Sequence, residues 1–206
     1  MTDINRADGR RAFTGQPPLT QAPPVIEPGE REHLLACVEL LFFAYRDFTG
    51  DPDAVLEQYG FGRAHHRVLH FVHRNPGLRV ARLLDILKIT KQSLARVLKQ
   101  LLDEGFISQK TGPDDRRERL LFTTTKGTKL AEKLASLQLQ RVALALEGAG
   151  PEGADAALRF LLGMIGEPER AQVESLISAA SAARPLTPRL AAAKSATSPK
   201  NGGGTP

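Results

Sequence analysis

The sequence predicts a mainly α-helical fold interrupted by a single two-stranded β hairpin. Three observations lead there. Apolar residues recur at helical spacing through most of the stretch 29–183. Only between Phe106 and Thr123 does the pattern shorten to two strand-like runs, parted by the turn-forming Gly112-Pro113-Asp114-Asp115. Both ends lose periodicity altogether: residues 1–28 contain Pro17-Pro18 and Pro23-Pro24, and residues 184–206 contain four prolines, Gly202-Gly203-Gly204 and no acid. Such ends bury too little apolar surface to offset the entropy of ordering them, so both are expected to be disordered tails. About 155 residues remain, enough for a sizeable core.

The first helix is expected from Gly29 to Phe48. Glu30 and Glu32 suit the positive end of its dipole. Leu34, Val38, Leu41, Phe42, Tyr45 and Phe48 form an apolar stripe that Leu35, Leu40 and Phe43 widen, and Gly50-Asp51-Pro52 is expected to end it. A second helix, Phe61 to His73, stops at Asn75-Pro76-Gly77; a third runs from Ala81 to Leu87. The fourth opens at Thr90, whose hydroxyl suits the N-cap, and ends at Gly105, which suits the left-handed residue after a helix. Leu94, Val97, Leu98, Leu101 and Leu102 give it an inward face. After the hairpin, Thr124 caps a long helix over 125–146, Gly148, Gly150 and Pro151 break it, and helices over 152–165 and 167–183 follow. The first, fifth and last helices carry more apolar surface than one small domain covers, which predicts a homodimer.

Charge is unevenly placed. The net is +5, but residues 61–120 hold 13 Lys and Arg against 6 Asp and Glu, a local +7, while the remainder holds 15 against 17. Basic charge gathered in one segment is the footprint of a polyanion partner. A lone cysteine, Cys37, excludes an internal disulfide framework. The charged N-terminus is no signal peptide, and no apolar run is long enough to span a membrane, so a cytoplasmic protein, nucleoid-associated when bound to DNA, is expected. No nucleophile elbow, phosphate-cradling glycine loop or metal-ligand cluster supports an enzyme, and no cofactor is implied.

A helix that runs into a charged hairpin is the layout of a winged helix-turn-helix, with the helix in the major groove of duplex DNA and the hairpin over the phosphates. The polar side of the fourth helix offers Thr90, Lys91, Gln92, Ser93, Arg96, Lys99 and Gln100. Glutamine and arginine read adenine and guanine edges bidentately, so Gln92 and Arg96 are the candidate base readers, with Thr90, Lys91, Ser93 and Lys99 beside them. Arg63, Arg67, Arg74, Arg79 and Arg82 are candidate phosphate contacts. The alternative is a winged helix used to bind protein, which predicts an apolar or acidic face at these positions.

Residues 30–183 resemble the MarR family of bacterial transcription regulators. The strings that carry the resemblance are Gly60-Phe61-Gly62-Arg63-Ala64-His65-His66-Arg67-Val68-Leu69, Leu87-Lys88-Ile89-Thr90-Lys91-Gln92-Ser93-Leu94-Ala95-Arg96, Asp115-Arg116-Arg117 and Thr124-Thr125-Lys126-Gly127, in that order and spacing. The resemblance implies a homodimer on a pseudo-palindromic double-stranded operator. Residues 29–60 and 124–183 would serve dimerisation and 61–123 DNA binding. Asp115 would steady Arg116 or Arg117 in the minor groove, where a planar guanidinium is favoured. The chain departs from the family at Lys88, which stands where glycine is usual in a left-handed turn, at Ala81 in place of a capping Ser or Thr, and at Thr123 in place of Leu.

Regulators of this kind commonly sense a small molecule, an oxidant or a metal. The resemblance implies a ligand cleft near Phe42, Tyr45, Arg46, His65 and Leu69, occupied by a small-molecule effector. Cys37 lies on an apolar helix face with only His33 nearby, as an inert packed thiol would. Phe42 stands where the peroxide-sensing branch has its reactive cysteine. His66, His70 and His73 share one side of a helix, but without a carboxylate or cysteine at ligand spacing no metal site is assigned.

Overall fold

A computed structural model of the chain describes residues 25–113, 115 and 117–182. The elements follow the order α1 (Pro28–Glu57), α2 (Arg63–Arg74), β1 (Leu78–Arg79), α3 (Val80–Leu87), α4 (Lys91–Asp103), β2 (Ile107–Thr111), β3 (Arg119–Thr123), α5 (Thr125–Gly148), α6 (Gly153–Gly163) and α7 (Glu167–Ala182). The tails expected at 1–28 and 184–206 lie outside the described residues, apart from 25–27, which precede α1 without regular structure, and Pro28, the first residue of α1. No described helix is long and apolar enough to cross a membrane. The chain divides into two compact units, Met1–Glu167 and Pro168–Pro206. In the second, α7 carries Val173, Leu176, Ile177 and Ala180 at helical spacing.

One core of seventeen buried residues ties α2, α3, α4, the sheet and the first half of α5 together, including Val68, Leu83, Leu94, Leu101, Phe106, Leu121 and Leu134. Leu56 brings the end of α1 into it. Two helix ends feed this core in the same way. At the end of α1, Phe61 N–H donates to Leu56 O and Gly60 N–H to Glu57 O; at the end of α4, Phe106 N–H donates to Leu101 O and Gly105 N–H to Leu102 O. Both are Schellman closures, which need a left-handed residue, and Gly60 (φ 64°) and Gly105 (φ 71°) supply it without a Cβ clash. Each closure delivers a phenylalanine inward, and Phe61 and Phe106 meet edge to face with centroids 5.0 Å apart.

The first helix corrects the expectation that Gly50-Asp51-Pro52 would end it: α1 continues for nine residues past Phe48, with Pro52 inside. Proline there has no N–H for the Phe48 carbonyl. That carbonyl is met instead by Gln138 Nε2 of α5 at 3.4 Å, while Arg141 pairs with Asp51 at 2.7 Å. The Pro52 ring is fully buried. Tertiary contacts override the local breaker.

The β wing is also larger than expected. The two-stranded hairpin is joined by β1, giving an antiparallel sheet in the order β1-β3-β2. Leu78 pairs with Leu121 and Arg79 with Leu120; Ile107 through Thr111 pair with Thr123 back to Arg119. A two-residue strand leaves no alternation to read, so nothing in the sequence flagged it.

At α5, Thr124 caps the helix by accepting from Gly127 N–H at 3.1 Å. Gly127 packs so closely that a Cβ would sit 1.9 Å from Phe106 O. Thr123, where the family has leucine, turns its hydroxyl to Thr128 at 2.9 Å.

Candidate nucleic-acid interface

The turn between α3 and α4 sets the angle of the candidate reading helix. Lys88 occupies the left-handed region at φ 51° and ψ 43°, and its N–H donates to Leu84 O at 3.0 Å. From α2, Arg67 Nη2 donates to Leu87 O at 3.0 Å, satisfying a terminal carbonyl of α3. Arg67 thereby braces the turn while remaining exposed at the surface. Ala81 is not at a cap: α3 starts at Val80, and its N-cap, Arg79, makes no side-chain capping bond.

Leu94, Val97, Leu98 and Leu101 bury one side of α4, while Thr90, Lys91, Gln92, Arg96 and Lys99 are exposed. Thr90 Oγ1 accepts from Ser93 N–H at 3.1 Å and donates to Ser93 Oγ at 2.9 Å, so both hydroxyls are engaged in the cap. Lys99 pairs with Asp103 one turn on. Lys91, Gln92 and Arg96 make no side-chain hydrogen bond or ion pair among the described residues. Their donors and acceptors face solvent, which is the condition for reading a base edge.

Gln100 departs from the expected exposed face. Its Oε1 lies 2.9 Å from His65 Nε2 and its Nε2 donates to Glu104 Oε1 at 3.0 Å. His65 Nδ1 accepts from Gly62 N–H at 3.1 Å. Because Nδ1 accepts, the proton of the neutral ring sits on Nε2 and points to Gln100. The N-terminus of α2 is thus linked to the last turn of α4. The two residues are 35 apart, so no local signal in the sequence announces the pair.

In the wing, Arg116 and Asp114 lie outside the described residues. Asp115 Oδ1 accepts from Arg117 N–H at 2.8 Å, an Asx turn, and Asp115 O accepts from Glu118 N–H at 3.0 Å. The carboxylate therefore steadies the loop backbone, leaving the exposed Arg117 side chain without a partner among the described residues. Arg79 pairs with Glu118 at 3.1 Å at the base of the wing. Arg63 pairs with Asp53 at 2.7 Å, which raises the guanidinium's pKa through that hydrogen bond. Both candidate phosphate contacts thus stand in exposed ion pairs.

The residues implied for a ligand cleft stand on two helices, Phe42, Tyr45 and Arg46 on α1 and His65 and Leu69 on α2. Phe42 and Tyr45 are exposed on α1, and Arg46 pairs with neighbouring Asp47 while lying 5.1 Å above the Phe43 ring. Tyr45 lies 5.5 Å below the Arg63 guanidinium. His65 stacks on Phe61 at 4.7 Å and is held by Gln100. Leu69 is wholly buried in the core. Cys37 is half-buried on α1. Among the described residues no group of three or more His, Cys, Asp or Glu is placed to hold a metal. Burial pushes the pKa of His66 down against the opposing pull of Asp53; it pushes that of His70 down to about 4, helped by His66, Arg74 and His73.

The sequence profile of the MarR family matches residues 59–118. The chain is 46% identical over 137 residues to the HTH-type transcriptional regulator PetP of Rhodobacter capsulatus, covering 66% of this chain and 82% of that protein. Among solved structures, Streptococcus pneumoniae FabT in complex with DNA superposes with a TM-score of 0.57 at 16% identity, covering 64% of this chain and 94% of that one. A putative MarR family regulator from Listeria monocytogenes complexed with 26mer DNA gives 0.54 at 23% identity, covering 66% and 89%. At these identities the two structures carry the fold.

Proposed function

From the premise that this chain belongs to the MarR family of helix-turn-helix transcriptional regulators, we propose that it binds a pseudo-palindromic operator as a homodimer, reading bases with Gln92 and Arg96. The observation that carries this is a helix buried on one side whose opposite side presents Lys91, Gln92 and Arg96 unpaired to solvent. Thr90 and Ser93 hold the start of that helix and present it to the phosphates together with Lys91 and Lys99. Asp115 shapes the wing so that Arg116 and Arg117 reach the minor groove. The DNA complexes formed by FabT and by the Listeria regulator support a duplex as the partner. A protein-binding winged helix would present an apolar or acidic face, which this helix lacks.

Residues 29–60 and 124–183 supply the dimer, and 61–123 the DNA-binding region. Support comes from the apolar side chains left exposed on α1, α5 and α6, Phe42, Leu144 and Leu158 among them. Two copies would set two reading helices about one helical turn apart on the duplex. A small effector would act by favouring a dimer in which that spacing is wrong. The protein would work in the cytoplasm, on the nucleoid.

Selection of sites from random DNA is the decisive measurement, and a palindromic consensus is the expected result. On that site Arg96→Ala should weaken binding by about 10- to 100-fold while leaving affinity for random DNA nearly unchanged. Arg116→Ala/Arg117→Ala should weaken both. Undiminished discrimination by the Arg96→Ala protein would remove the assignment of that helix as the reader.

A further inference from the structure

We propose that Gln138 and Arg141 of α5 are positioning residues for operator recognition: latched onto the proline break in α1, they fix the half-site spacing that the protein accepts. The inference rests on the reading above that two copies bind a pseudo-palindrome. It concerns residues that touch no DNA in that reading.

Two helices change character at the same level. In α1 the buried residues are Thr49, Pro52 and Leu56, while Leu34, Val38, Phe42 and Phe43 before them are exposed. In α5 burial ends at Leu134, and Leu139, Val142 and Leu144 beyond it are exposed. The last turns of α1 are fastened to the winged region by Leu56, wholly buried in its core, and by the Asp53–Arg63 pair at 2.7 Å. Residues 48–52 and 138–141 therefore form a neck between a packed body and two apolar helix halves.

The neck is where α1 is least stiff. Phe48 O loses its regular main-chain donor, because Pro52 carries no N–H. Thr49 Oγ1 donates to Tyr45 O at 2.9 Å, a back-bond that also favours bending. Two contacts from α5 cross this segment. Gln138 Nε2 donates to Phe48 O at 3.4 Å, and Arg141 Nη2 donates to Asp51 Oδ2 at 2.7 Å. Asp47, one turn before Asp51, adds its negative charge at Arg141.

Neither contact does much for stability, since Arg141 and Asp51 are 42% and 49% exposed. Their place gives them a role. A joint without its main-chain bond takes its angle from the groups that bridge it. In the proposed dimer the partner copy holds the apolar halves, and the neck angle sets where each reading helix stands. One extra base pair moves a half-site by about 3.4 Å and turns it by about 35°, so a small change of angle changes which spacing fits.

The test is a spacing series. The palindrome selected from random DNA is rebuilt with its half-sites one base pair closer and one or two farther apart, and affinities are read by fluorescence anisotropy. Wild type should prefer one spacing by at least about tenfold. Gln138→Ala/Arg141→Ala should cut that preference by about fivefold. Its affinity for an isolated half-site should stay within about twofold of wild type, with the dimer intact in sedimentation velocity and the Tm nearly unchanged. Arg141→Lys keeps a cation beside Asp51 and should retain the preference within about twofold. A double variant with the wild-type preference would overturn the inference. So would dissociation to monomers, or weakened half-site binding with a lowered Tm, because the pair would then hold the interface or the fold. A wild type that selects no palindrome sinks the operator reading itself, whereas a sharp wild-type spacing shared by the variant sinks only the latch.

Discussion

Two regions of the first unit carry apolar faces at helical spacing and differ in what covers them. The winged region, from α2 through the first half of α5, buries its leucines and phenylalanines against one another. In α1 the only buried residues are Thr49, Pro52 and Leu56, all beyond Phe48; in α5 they are Gly127, Leu130, Ala131 and Leu134, all in its first half; α6 has none. Phe42 is 71% exposed and Leu144 70%. The same amphipathic signal thus reports a finished core in one place and an apolar face left exposed in the other. Periodicity says that a face is apolar, not whether its partner lies in the same chain.

The widest separation of the two regions should come from Gly127→Ala. A methyl 1.9 Å from a backbone oxygen that cannot rotate away should cost on the order of 4 kcal/mol in urea unfolding and disorder the wing before the exposed helices. A stability close to wild type would mean that the junction yields, and that the winged region is less tightly built than its burial suggests.

Next in size is the response to acid at His70, on the helix that serves both regions. Its pKa falls from 6.5 to about 4 on folding, chiefly by burial, so the folded ring is neutral where the unfolded one is charged. The unfolded chain then binds the extra proton, and stability, complete above pH 6.5, is lost as the pH drops towards 4, by up to about 3 kcal/mol. Burial of His66 acts in the same direction. Urea melts of wild type and His70→Asn between pH 7.5 and 4.5 should diverge; parallel curves would show the imidazole is not desolvated.

Phe42→Glu acts on the other region. A charge on the exposed α1 face should weaken the proposed dimer on the order of 100-fold, about 2–3 kcal/mol, and leave the circular dichroism of the chain unchanged. Sedimentation velocity reads this directly, and an unaltered dimer would move the interface elsewhere. The smallest effect is a gain. Lys88→Gly removes the Cβ penalty at φ 51° and should stabilise the winged region by roughly 1 kcal/mol, seen as a raised Tm.

Much of this was legible from the residues. Thr90, Gly105 and Thr124 act through local chemistry, since a hydroxyl or a missing side chain does its work within one turn, and each stands at its element's boundary. The left-handed turn at Lys88 was legible only through the family resemblance, since a lysine carries no local signal for a positive φ. What escaped depends on distant partners. Pro52 reads as a breaker until Gln138, 86 positions later, meets the Phe48 carbonyl. Arg67 reads as a loose basic residue until it reaches Leu87 O, and Gln100 as a groove-facing amide until His65 claims it. Strand β1 is too short to leave a pattern. The contact of Tyr59 with Phe106 was invisible because two distant helix ends, each closed by a left-handed glycine, bring the rings together.

The tether of Gln100 to His65 has a mechanical consequence. Gln92 lies eight residues away from it, about 12 Å along the helix axis, so a tilt of α4 about the pair is amplified at Gln92. A rocking of about 5° at the pivot swings Gln92 through roughly 1 Å, twice the tolerance of roughly 0.5 Å within which a preorganised contact must be held. Under the proposed base readout, fidelity in choosing a sequence would then depend on an imidazole at the opposite end of the rod from Gln92.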